Sequence, residues 1–295
     1  MLRLLAVLFA LVSTASAAHP FLCCDYGGGK VCVVSAEGKI EWQWDCKSPQ
    51  DCWKLPNGNY LFCFVSGALE VTPDKKVVWE YKAPTDVKVE VHSCQPLPDG
   101  NVMIVECGTS RIIEVDRAGK IAKEIKLTAA PEIKLHNQFR GTRKLANGHY
   151  LVCFKGEGKI VELDADGKVL RQIKVPGDPH EVVPLPEGHL LITCGDGHQV
   201  RELDAKENIV WELAENDIPG YTLRLMAGCQ RLPNCNTVFC VYLGHGHIGE
   251  QAQVIEVTRD KKIVWNVADH AQFKTINQIM LLDVAGDVTK GEILR

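Results

Sequence analysis

Histidine and arginine are the residues of this chain best suited to chemistry, and they recur at a fixed spacing. Gln50, His92, Arg140, His180, Ala227 and Asn277 stand five residues ahead of Leu55, Leu97, Leu145, Leu185, Leu232 and Leu282, each of which opens a turn. An imidazole near its ordinary pKa acts as base, acid or nucleophile. A guanidinium offers forked donors to carboxylate or sulfate. Gathered at one point, His92 and His180 are candidate catalytic groups, with Gln50, Arg140 and Asn277 as candidate ligand-binding neighbours. Arg224, three residues before Ala227, is expected to reach the same space. Separately, His245 and His247 with Glu250 place two imidazoles and a carboxylate in one loop, a set that suits zinc or copper. A divalent metal is therefore the candidate cofactor.

The elements that must position these groups are read from an internal repeat. An apolar strand ends in leucine, turns through Pro-Asn-Gly or a variant, and continues as a second apolar strand. The copies are Leu55-Pro56-Asn57-Gly58, Leu97-Pro98-Asp99-Gly100, Leu145-Ala146-Asn147-Gly148, Leu185-Pro186-Glu187-Gly188 and Leu232-Pro233-Asn234-Cys235, with Leu282 opening a degenerate sixth. Glycine supplies the positive φ of a tight hairpin, so Cys235 is expected to strain its turn. A second hairpin follows, turning at Ser35, Thr72, Asp116, Asp164, Asp204 or Thr258. Its last strand carries Trp42, Trp79, Trp211 or Trp265. Four strands per unit of about 40–50 residues predict an all-β, six-bladed β-propeller. Residues 21–44 read as three strands of a blade whose first strand comes from 276–284, so the chain ends close the ring and remove its open edge.

In such a fold the short hairpin turns share one face and the variable connections the other. Insertions at 128–138, 214–226, 243–251 and 268–276 all fall on the second face. So do His92, His136, His180, His198, His245, His247 and His270, whereas His149 and His189 map to the first. Loops on a rigid scaffold are where function concentrates. Innermost strands line the central channel, so the polar ring is expected at its mouth, either as a ligand pocket or as a hydrogen-bonded plug holding water. Glu70, Glu114, Glu162, Glu202 and Glu256 repeat with the blade on third strands and are read as structural. The aligned tryptophans are read as blade-to-blade packing.

The bulk properties narrow the partners. A formal charge of −4 and pI near 6.2 provide no broad basic surface, against nucleic acid and against electrostatic membrane binding. Residues 1–18 read as a signal peptide cleaved near Ala17 or Ala18, followed by the propeller over 19–284 and an unassigned tail, 285–295. The mature protein is expected in a secreted or periplasmic location without membrane insertion. Thirteen cysteines would suggest disulfides in that compartment. Cys24, Cys63, Cys153 and Cys240 instead share one repeat position and Cys52, Cys94 and Cys229 another, which fits small buried hydrophobes. One or two bridges, Cys23 with Cys24 included, stay open.

The Leu-Pro-Asn-Gly-Asn hairpin at 55–59 and strands such as Glu114-Val115-Asp116 with Gly119-Lys120 resemble the quinoprotein-like propeller repeat. The resemblance covers nearly the whole mature chain. The pattern is also similar to the propeller of bacterial arylsulfotransferases, in which a histidine ahead of such a hairpin carries the sulfuryl group and arginine stabilises it. His92 and His180 occupy such positions, and the resemblance implies Arg140 and Arg224 as anion clamps. Arylsulfotransferases carry an additional domain with no counterpart in this sequence. Quinoprotein dehydrogenases have more blades, and Cys23-Cys24 lies on a second strand, so pyrroloquinoline quinone is not expected. The leading expectation is an axial pocket for a small anion, a sulfated aromatic or an acidic or sulfated sugar, with group transfer or elimination as its chemistry. The competing one is a non-catalytic secreted module that binds a glycan or protein through its loops.

Overall fold

The computed structural model describes residues 18–295; the leader expected over 1–18 falls, but for Ala18, outside the described residues. Six four-stranded antiparallel sheets form a six-bladed β-propeller. Five blades are built from consecutive strands. The sixth joins Ile276–Leu281 to Phe21–Asp25, with Phe21 opposite Leu281 and Cys23 opposite Ile279, and continues through Lys30–Val34 and Ile40–Asp45. Ring closure by the two ends is therefore as the repeat implied.

Burial explains why the strands differ in composition. The innermost strands Pro49–Lys54, Leu225–Arg231 and Ile276–Leu281 are buried almost throughout, because both sheet faces meet neighbouring blades and the edge meets the channel. The outermost strand Val77–Lys82 buries Trp79 and Tyr81 and exposes Glu80 and Lys82, the period-two alternation of a half-covered strand. Trp79 Nε1 donates to Asp116 O at 2.8 Å and Trp211 Nε1 to Arg259 O at 2.9 Å, each tying its blade to the next.

The repeated third-strand glutamates anchor the hairpin face. Glu70 accepts from Asn59 at 2.6 Å, Glu162 from His149 at 2.9 Å, and Glu202 from His189 at 3.0 Å. His149 and His189 are thus turn fasteners on the face away from the variable loops. All thirteen cysteines are free thiols, Cys23 and Cys24 among them. Burial raises most of their pKa values, that of Cys32 to about 12, which leaves protonated and inert core thiols.

At the tight turns Gly58 and Gly100 take φ of 90° and 87°, and Cys235 is held at 68° in the equivalent place. A Cβ in that region costs about 1–2 kcal/mol, and Cys235 is exposed, so its thiol contributes little packing. Cys235→Gly is expected to raise stability by about 0.5–1 kcal/mol after the entropy of glycine is counted. Thermal denaturation reads this directly, and an unchanged or lower Tm would contradict the strain.

The last segment, which carried no sequence assignment, folds under the channel on the hairpin face. Asp287 caps a short turn over Val288–Lys290, Val288 and Ile293 are buried, and Leu294 bridges to Arg231. Arg295 then reaches the axis, where its guanidinium lies 4.0 Å from the centre of the Trp53 ring.

Candidate functional site

Five of the six innermost strands are bulged at the ring position. Gln50 is skipped between the pairs Pro49/Phe64 and Asp51/Cys63, and His92 between Val91/Glu106 and Ser93/Val105. Arg140-Gly141, Ala227-Gly228 and Asn277 are likewise unpaired. A bulge re-aims the side chains around it, and here two successive residues of one strand serve the channel at different depths.

The upper level is a cavity of about 300 Å³ on the variable-loop face. Gln50, Arg140, His180 and Asn277 line it, so four of the five polar ring residues converge as expected. Tyr26, Tyr242, His136, Lys155, Asp196 and His245 complete the walls. Asn277 Nδ2 donates to Pro49 O at 3.2 Å, while its buried Oδ1 has no partner. Tyr26 and Tyr242 meet edge to face with ring centres 5.9 Å apart.

Two ring expectations are corrected. His92 does not line the cavity; its fully buried imidazole lies behind Arg140, with Nδ1 against Phe139 O at 3.0 Å and against an Arg140 N–H. The Phe139 carbonyl and Glu90 Oε2, 3.1 Å from Nε2, hold it there. Arg224 is not part of the lining either, because its guanidinium points to Glu250, 3.6 Å away in the outer loop.

The expected metal trio also does not assemble. His247 Nδ1 pairs with Glu250 Oε1 at 2.9 Å, but His245 turns away and packs edge-on against Tyr242, 5.6 Å between centres. Positive φ at His245 and Gly246 swings the two imidazoles apart. Among the remaining loop histidines, His198 pairs with Glu215 and His270 with the Gln251 carbonyl.

The electrostatics centre on Arg140. It is only 3% exposed, and its guanidinium donates to Phe139 O at 2.9 Å. Among the described residues no carboxylate oxygen lies within 4.0 Å of it. Burial pulls its pKa down, yet a guanidinium keeps its proton in any protein. Burial and the Arg140 and Lys155 charges hold His180 well below the usual histidine range, so its imidazole is neutral at neutral pH. Burial, then Arg140, lowers His92 to about 3. Lys155, the other cation on the wall, is already paired with Asp178 at 2.5 Å.

One residue deeper on the same strands is a second, closed level. Asp51 Oδ2 pairs with Arg143 Nη1 at 3.1 Å, Arg143 Nη2 lies 3.2 Å from Glu181 Oε2, and Arg295 Nη2 bonds Asp51 Oδ1 at 3.1 Å. Gln278 Nε2 donates to Glu181 at 2.8 Å. Two guanidinium groups thus face two carboxyl groups at the axis, and Arg143 Nε also donates to Arg295 O at 3.1 Å. Sequence reasoning missed this level, although Asp51, Glu181 and Gln278 each follow a ring residue. The detectable signal was Gly141 and Gly228 at that repeat position. A Cβ on Gly228 would lie 1.9 Å from Gln278 Oε1, and one on Gly141 2.3 Å from Glu181 Oε1. Gly228→Ala is therefore expected to cost about 1–3 kcal/mol in chemical denaturation by displacing a hydrogen-bonded buried amide. No loss would show that the glycine does not make room for Gln278.

Residues 31–240 match the family described as Mal s 1 allergenic protein-like. The chain belongs to that family. The chain matches no curated protein. It is similar to the crystal structure of a protein of unknown function from Bacteroides caccae, at 27% identity and TM-score 0.80, covering 89% of this chain and 98% of that one. A streptogramin B lyase structure aligns at 13% identity and TM-score 0.61, over 87% of this chain and 84% of the other. Virginiamycin B lyase from Staphylococcus aureus aligns at 19% identity and TM-score 0.54, over 73% and 68%. At those identities the two lyases share the propeller fold alone.

Proposed function

We propose that the upper cavity binds a small organic anion, a sulfated aromatic or an acidic or sulfated sugar, with the anionic group on Arg140. The observation that carries this reading is a buried guanidinium in the cavity lining with no carboxylate partner among the described residues. Burying an unpaired charge is costly, and a bidentate carboxylate or sulfate would relieve that cost. The size agrees, since about 300 Å³ is at the small end of ligand pockets and suits one ring rather than a polymer segment. Tyr26 and Tyr242 offer aromatic surface to that ring.

His180 is the better candidate than His92 for acting on the ligand, because it borders the cavity as a neutral base. In an elimination from an acidic sugar it would take the proton on the carbon beside the carboxylate; that C–H pair forms the C=C bond, the oxygen on the next carbon leaves with the C–O electrons and recovers the proton from the imidazolium, and Arg140 neutralises the charge that develops on the carboxylate oxygens. Of the two anion clamps that the resemblance implied, Arg140 is kept and Arg224, directed to Glu250, is dropped. The leader read over 1–18 supports a setting outside the cytoplasm.

The test is thermal melting of the protein with a chelator present, against 4-nitrophenyl sulfate, glucuronate and glucose 6-sulfate, with phenol and glucose as uncharged controls. A ligand at about 100 times its Kd adds roughly 2.7 kcal/mol, or roughly 5–10 °C for a domain of this size. A shift from anions and none from the controls is expected. No shift from any anion, or equal shifts from the controls, would overturn the proposal.

A further inference from the structure

We propose that Glu90, His92 and His136 form a binding site for a divalent transition metal, zinc by preference, at the edge of the cavity. Their ligand atoms all lie within 4.8 Å of one another, a gathering of three such groups not repeated among the described residues. Glu90 Oε2 is 3.1 Å from His92 Nε2 and 2.6 Å from His136 Nδ1. In a tetrahedral zinc site with bonds near 2.0–2.1 Å, neighbouring ligand atoms stand about 3.3 Å apart. The three groups therefore reach that geometry by small side-chain rotations.

Two further features suit a metal. His92 Nδ1 lies 3.0 Å from the Phe139 carbonyl, the outer contact that fixes a ligating imidazole with its other nitrogen toward the ion. Glu90 and His92 come from one strand and His136 from a short turn, Leu135–Asn137, so the site is held at two points and His136, half exposed, gives the ion an entry path. Two imidazoles and one carboxylate favour zinc, copper or nickel over calcium or magnesium, and three protein ligands leave a position for water or substrate.

Arg140 sets the strength of the site. Its N–H contacts His92 Nδ1, which must carry a proton once Nε2 holds a metal, so binding turns the guanidinium away from the ring. Its charge also opposes a cation, so an exchangeable ion is expected rather than a permanently held structural one.

The proposal stands apart from anion binding and is tested without any anionic ligand. Zinc is titrated by calorimetry into the untagged protein, and cobalt is titrated in parallel for its visible spectrum. One equivalent should bind, with the intense cobalt bands of a low-coordinate site. His136→Ala and Glu90→Gln should each weaken zinc by more than about 10-fold and abolish the cobalt bands, whereas His247→Ala should change neither. His136→Ala alters a half-exposed side chain, so it keeps the fold and the test informative. Wild-type affinity no better than that of His136→Ala, or a loss confined to His247→Ala, would overturn the proposal.

Discussion

Arg143→Met should destabilise the propeller by about 3–5 kcal/mol in chemical denaturation. Arg143 is 2% exposed and stands between Asp51 at 3.1 Å and Glu181 at 3.2 Å. Removing it leaves Arg295 alone against two buried carboxylates. The size of the effect comes from that uncompensated charge, so the double variant Arg143→Met/Glu181→Leu should recover most of the loss. Acid should also reduce the deficit. Burial already pushes the Glu181 pKa up against the pull of Arg143, and without Arg143 it rises further. A group with a raised folded pKa binds more protons folded than unfolded, so its charge penalty is felt above that pKa and fades as pH falls through it. A loss below about 1 kcal/mol, or one insensitive to both pH and the second substitution, would mean that the array does not hold the channel together.

Arg140→Met should do the reverse. Its guanidinium is buried without a carboxylate partner among the described residues, so its removal is expected to leave stability unchanged or raise it. The same change should abolish the roughly 5–10 °C anion-dependent shift in Tm. Stability kept at the expense of binding is the signature of a functional charge rather than a structural one. Two arginines three positions apart on one strand would thus separate cleanly, one holding the fold and the other serving the cavity. A variant destabilised by about 2 kcal/mol or more that still binds the anion would assign Arg140 to the scaffold instead.

Much of the candidate site was legible in advance. Gln50, Arg140, His180 and Asn277 were placed at the channel mouth by counting back from the hairpin leucines, and they meet there. His92 was placed on the correct strand but not in the cavity, because Glu90 and the Phe139 carbonyl hold its imidazole behind Arg140. Arg224 and the 245–250 loop were mislocated because loop backbone, including the positive φ of His245, does not follow the repeat.

The blade count, the strand order within each blade, the closure of the ring and the faces on which the histidines fall were determined by the sequence itself. These rest on turn chemistry and period-two burial, which act over a few residues and recur with each unit. Only the tertiary structure decided which of two successive channel residues meets the cavity and which enters the closed level. It also brought Arg295 under Asp51 and set His136 against Glu90, 46 residues away. Those meetings join side chains from different blades or loops across the axis, where space and charge balance decide the partner and no local pattern records it.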